Sequence, residues 1–195
     1  MKICEVVEFE SEPNFQQDEE NINPLQWAIF NQRMNDINTL LKEGADPAQL
    51  GLQQESALHT AAKISNPDYL KSLLSFMPDV NITHPVTLAT PLHAAVQVRR
   101  KIQAELLLMA GANPNLANRV GDTPLHIAAK INSPELALIL LKSGADPTLQ
   151  NKQQSTFQIY FSLTPLKVRS HEMQAEYDKV NNWLKAQQIS RYYLK

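Results

Sequence analysis

Residues 123–147 read TPLHIAAKINSPELALILLKSGADP, and this stretch decides the fold because both of its ends recur elsewhere in the chain. The opening Thr123-Pro124-Leu125-His126 has counterparts in Thr90-Pro91-Leu92-His93 and Ser56-Ala57-Leu58-His59, with the leucines 33 and 34 residues apart. The closing Leu140-Leu141-Lys142-Ser143-Gly144-Ala145-Asp146-Pro147 returns in the same phase as Leu107-Leu108-Met109-Ala110-Gly111-Ala112-Asn113-Pro114 and as Leu40-Leu41-Lys42-Glu43-Gly44-Ala45-Asp46-Pro47. Two landmarks repeating in register mark a stack of like units, in which each unit buries its apolar face against its neighbours.

Local chemistry gives most repeated letters a reason. Thr90 and Thr123 suit a helix N-cap, and Pro91 and Pro124 follow at the first helical position, where a missing N–H costs nothing. Ala61-Ala62, Ala95-Val96 and Ala128-Ala129 are small enough for helices to approach closely. Second helices open at Asn66-Pro67-Asp68 and Ser133-Pro134-Glu135 in the order cap, proline, acid. Gly44, Gly111 and Gly144 stand where a helix ends in a left-handed turn.

These residues resemble the ankyrin repeat, in which a T-P-L-H-x-A-A helix is joined to an L-L-x-x-G-A helix end at a period of about 33 residues. The resemblance covers about 23–161 and points to small bacterial members of that family. It implies an all-α repeat solenoid: a stack of helix-turn-helix units with β-hairpin loops, closed by a C-terminal capping helix. The domain reading is an acidic leader expected to be partly disordered (1–22), a repeat domain of about four units plus a degenerate fifth (23–161), and a linker with a capping helix (162–195). In the cap, Met173, Tyr177, Val180, Trp183 and Leu184 recur at helical spacing.

Departures from the pattern carry expectations of their own. Gln32, Ser65, Arg99 and Asn132 replace the family's glycine between the two helices, and only Asn132 readily accepts positive φ, so these turns are expected to be altered. The second unit ends Ser75-Phe76-Met77-Pro78 without its glycine, and its loop carries one extra residue before Thr90. The least regular stacking is expected there.

Binding in this family resembles a hand, with hairpin tips as fingers and first helices as palm. The residues so implied as partner contacts are Trp27, Phe30, Lys63, Gln97, Ile127 and Lys130 on the palm, with Leu52, Ile82, Val86, Leu116, Arg119 and Val120 on the fingers and Arg99 in the cluster Arg99-Arg100-Lys101. His59, His93 and His126 occupy the place of the family's structural histidine, which bonds neighbouring loop backbone. Asn81 and Asn115 resemble hairpin asparagines that an oxygenase hydroxylates in some members.

Bulk properties narrow the function class. With 195 residues and 43% hydrophobic content the chain can bury a sizeable core without staples. A net charge of −2 gives no global attraction to phosphate backbones, so the expected partner is a protein and not nucleic acid. No run approaches the roughly 20 apolar residues of a membrane span, and there is no signal-peptide core. The expected setting is cytoplasmic, with delivery into a host cell by a non-classical route as the alternative, and the expected state is a monomer. Residues 1–20 hold seven acids against Lys2, or −6, leaving +4 on the remainder.

No phosphate loop, nucleophile elbow or zinc helix is present, and Cys4 is the one cysteine. Histidines a whole repeat apart, about 10 Å on a helix stack, cannot share a metal. The sequence therefore reads as a non-enzymatic adaptor or inhibitor without a cofactor. Alternatives are a host-directed effector, an immunity protein that neutralises a toxin, or an enzyme using Cys4, His84 or His171 in an unfamiliar arrangement.

Overall fold

The computed structural model describes residues 22–163, 165 and 169–188. Cys4 and the acidic leader's charged residues lie outside them, as does the last part of the 162–195 segment. The helices come in pairs: α1 (Pro24–Phe30) with α2 (Met34–Lys42), α3 (Ala57–Lys63) with α4 (Pro67–Leu74), α5 (Pro91–Gln97) with α6 (Lys101–Met109), and α7 (Pro124–Lys130) with α8 (Pro134–Lys142). They are followed by α9 (Phe157–Ser162) and α10 (His171–Ala186).

The first helices α1, α3, α5, α7 and α9 pack on one another in that order and form one layer. Helices α2, α4 and α6 do the same behind them, and α8 packs on α7. Between the layers lie Leu25, Leu58, Leu92 and Leu125 with the alanines 28, 61, 62, 95, 128 and 129, all buried. Each of these leucines contributes about 1.5–3 kcal/mol, and the alanines set how closely the layers approach. This is the all-α repeat stack expected from the motifs.

The far end is closed by α10, started by Ser170, whose hydroxyl accepts from the Met173 N–H at 3.1 Å. Tyr177, Val180 and Leu184 are buried. The Tyr177 ring centroid lies 4.3 Å from that of Phe161, and the Arg169 guanidinium sits 3.7 Å from the same Tyr177 centroid. The Tyr177 hydroxyl donates to Asn132 in the α7–α8 turn. Helix α10 thus packs on α8 and touches α9, covering apolar surface that a further repeat would otherwise cover.

The turns correct two expectations. Gln32, Arg99 and Asn132 all adopt positive φ, at 56°, 58° and 55°, so the left-handed turn persists without glycine. Each is locked by the same backbone bond, from the N–H of Arg33, Arg100 or Ser133 to the carbonyl of Ala28, Ala95 or Ala128 at 2.8–2.9 Å. Only the Ser65 turn departs. There α3 ends in extended backbone at Ile64, and its carbonyls are taken by the next unit: Arg100 Nε donates to Lys63 O at 2.8 Å, and Gln103 donates to Ile64 O and to Ser65 O. A neighbour's side chains do the capping that a local glycine would otherwise do.

Despite that turn, the second unit stacks like the others. Helix α3 packs on α5 and α4 on α6 as elsewhere, and the extra loop residue is absorbed at Leu88, with φ 55°. Met77 takes the place of Gly44, Gly111 and Gly144, at φ 52° where they have 91–94°. It is 87% exposed, so its side chain gains little burial to offset the left-handed backbone. Met77→Gly is expected to raise stability by about 1 kcal/mol, the left-handed penalty less glycine's extra chain entropy. Urea denaturation checks this, and a lower midpoint would contradict it.

Candidate interaction surface

Each first helix is tied to the next unit by one buried polar side chain. Nε2 of His59, His93 and His126 lies 3.0, 3.1 and 2.9 Å from the carbonyls of Ala89, Asp122 and Ser155. Each of these residues immediately precedes the next unit's N-cap. On the other side of each ring, Nδ1 accepts the backbone N–H of Ser56, Thr90 or Thr123 at 3.1–3.3 Å. A ring flanked by a carbonyl and an N–H is fixed as the neutral Nε2–H tautomer. Burial opposes protonation in all three, and pushes His93 down to about 4.

At the first boundary the same task falls to Gln26, which stands in the histidine position. Its Nε2 donates to Glu55 O at 3.1 Å and to Thr60 Oγ1 at 3.1 Å, while its Oε1 accepts from Leu52 N at 2.8 Å. In the fifth unit, which has no repeat beyond it among the described residues, the position is Ile159.

These clamps hold four loops, here fingers 1 (48–55), 2 (81–89), 3 (115–122) and 4 (148–155). At their bases, Asn81 accepts from Asn113 N at 2.8 Å and donates to Gly111 O at 3.4 Å. Asn115 repeats the arrangement with Asp146 N at 2.7 Å and Gly144 O at 3.0 Å. Nearer the tips, His84 bonds Gln53 O at 3.0 Å, Arg119 N–H donates to Thr87 O at 2.7 Å, and Lys152 N–H donates to Val120 O at 3.2 Å. Gly121, at φ 83°, permits the last contact, because a Cβ there would lie 2.6 Å from the Lys152 nitrogen. Fingers 1 to 4 are therefore cross-braced along the whole row.

Beside the fingers runs the open face of the first helices. Trp27, Thr60, Ala94, Ile127 and Tyr160 occupy equivalent positions on it. Thr60 and Ile127 are buried, Ile127 being 8% exposed, while Trp27 is half-buried with the Arg33 guanidinium 5.4 Å from its ring centroid. Phe30 is 48% exposed, and Gln97 is exposed. Lys63 is held by Glu55 at 2.5 Å. Lys130 is held by Asp122 at 2.5 Å and lies 4.6 Å from the Tyr160 ring centroid. Asp122 also accepts from Asn151 at 2.7 Å, and Asn151 donates to the Tyr160 hydroxyl at 2.9 Å. Both lysines are thus neutralised from within.

On the fingers, Leu52, Ile82 and Leu116 are half-buried, whereas Val86, Arg119 and Val120 are exposed, the two valines to 50% and 55%. Arg99, at the far end of α5, donates to Ile131 O in the next turn.

A family profile described as ankyrin repeats in three copies matches residues 25–118 and 58–151. The chain belongs to the ankyrin-repeat family. Among curated proteins it is 48% identical over 99 residues to Protein PhlB of Serratia liquefaciens, an alignment covering 51% of this chain and 44% of that one. It is 36% identical over 66 residues to the human ARF GTPase-activating protein GIT1, covering 34% of this chain and 9% of the relative. It is 32% identical over 104 residues to glycerophosphocholine phosphodiesterase GDE1 of Eremothecium gossypii, covering 53% and 8%. This ankyrin-repeat chain thus spans less than half the length of each.

Leu88 is exposed on finger 2, and Gln26, Glu55, Asp122, Asn151 and Tyr160 support the surface through the bonds above, although the motifs do not single them out. A signal exists for two of them: the acids stand eight residues before the lysines they hold, in two different units. Among the described residues no group of three or more His, Cys, Asp or Glu side chains is placed to hold a metal ion, and no helix is long and apolar enough to cross a membrane.

The clamp predicts a pH dependence. Between pH 6.5 and about 4 the unfolded chain takes up a proton that folded His93 refuses. Its contribution is therefore complete above pH 6.5 and is lost as pH falls toward 4, on the order of 3 kcal/mol for this residue. His59 and His126 act in the same direction. His93→Gln, which installs the residue used at position 26, is expected to stay folded and to flatten the acid limb of stability against pH. Denaturation at a series of pH values reads this out, and an unchanged slope would contradict it.

Proposed function

We propose that this ankyrin-repeat protein is a non-enzymatic adaptor or inhibitor that grips one folded protein between its fingers and the open face of its first helices. The observation that carries this reading is the exposure of Phe30, Val86, Leu88 and Val120 on a cross-braced backbone. Such a surface loses little conformational freedom on binding, and apolar side chains left in water on rigid loops gain from being covered. Charge supports the same conclusion: Lys63 and Lys130 are compensated internally, so the floor of the face is close to neutral and its anchors are apolar.

The likeness to PhlB, a protein of Serratia liquefaciens, favours a bacterial setting. Within it, an inhibitor or immunity role asks the least of the face, since blocking a partner requires only tight coverage. A partner buries about 800 Å² per side in a standard interface, and Phe30 at one end with Val120 toward the other fits a contact running along the stack.

Affinity capture with the wild type and with a Phe30→Ala/Val86→Asp double variant tests the reading. Both residues are exposed, so circular dichroism should be unchanged. Loss of two anchors at about 2 kcal/mol or more each corresponds to a weakening of several hundred-fold. Capture of the same protein at undiminished yield would overturn the assignment.

A further inference from the structure

Val86, Arg119, Val120 and Lys152 form a ledge along the tips of fingers 2 to 4, with apolar and basic side chains side by side. Its backbone is fixed by the bonds from Arg119 N–H to Thr87 O and from Lys152 N–H to Val120 O. The acids near it are already paired, Glu55 with Lys63 and Asp122 with Lys130. Arg119 and Lys152 make no ion pair with any described carboxylate, and the Arg119 guanidinium only reaches the Val86 carbonyl, at 3.3 Å. The ledge therefore carries two uncompensated positive charges beside exposed valines.

A complementary ligand mixes acids with apolar residues at close spacing. Glu5-Val6-Val7-Glu8-Phe9-Glu10-Ser11-Glu12, outside the described residues, has four acids, no base and three large apolar side chains. In this segment acids and apolar side chains stand one or two positions apart, as the bases and valines stand side by side on the ledge.

The reach is sufficient. The chain enters the described part beside finger 1, where Asn23 Nδ2 donates to Gln49 O at 3.3 Å. Residues 8–12 stand ten to fourteen positions before residue 22, which an extended chain can span over about 33–46 Å. Fingers spaced like packed helices, about 8–10 Å apart, bring finger 4 within roughly 30 Å of finger 1.

We propose that residues 5–12 dock along the ledge of their own chain. The docking stands on charge and reach alone. Its regulatory meaning rests on the proposed partner-binding face, since a partner using fingers 2 to 4 must displace a tethered competitor whose effective concentration is of millimolar order.

Cys4, the one cysteine, borders the segment and allows a test on the full chain. A nitroxide placed on Cys4 is expected to broaden the amide signals of Arg119, Val120 and Lys152 at low ionic strength, to about half intensity or less. Raising salt to about 0.5 M, where the Debye length falls below about 5 Å, should restore them. So should Arg119→Glu/Lys152→Glu, while Lys185→Glu, on α10, should leave the broadening intact. Overturning results are unbroadened finger amides at low salt, broadening that survives the finger double variant, or broadening seen only when nitroxide-bearing and isotope-labelled chains are mixed, which would make the occupant a second copy. Capture of a partner is scored separately, so either idea can fail without the other.

Discussion

Each boundary of this stack is crossed by a buried hydrogen bond from a first-helix side chain to the carbonyl just before the next unit's cap. Three are made by imidazoles and one by the Gln26 amide. The acceptor carbonyl lies where a finger returns to a helix, so the bond fixes both the spacing of the helices and the direction in which the finger leaves them. A buried carbonyl without that partner would cost about 1–3 kcal/mol, and the finger would lose its anchor. The Asn81 and Asn115 bridges and the tip-to-tip backbone bonds build on a spacing that the clamp has already set.

The fold was largely legible because the repeat places small, apolar and capping residues where packing requires them. Leu58, Leu92 and Leu125 are buried as their phase implies. What could not be read was substitution by chemical equivalence. Gln26 has no resemblance to histidine as a letter, yet its amide offers the same donor and acceptor on opposite edges. Glycine was overvalued at the turns: backbone bonds to Ala28 and Ala95 hold Gln32 and Arg99 at positive φ despite their side chains.

For the proposed interaction surface, the register of positions was legible but the state of their side chains was not. The palm and finger positions follow from register alone, whereas the state of a side chain depends on what the fold places beside it. Lys63 and Lys130 look like free cations along the sequence, and in the fold each faces an acid from the loop that precedes its own helix. Removing them from the available charge leaves a nearly neutral floor and shifts the cationic character to Arg119 and Lys152 on the finger tips.

The clamp is tested most directly by nitrogen-15 NMR of the imidazoles at neutral pH. The account predicts that His59, His93 and His126 are all neutral, each with a slowly exchanging proton on Nε2 and an unprotonated, hydrogen-bonded Nδ1. A proton on Nδ1, or an imidazolium at any of the three, would contradict it, because the ring could not then accept from its own N-cap while donating to the next repeat.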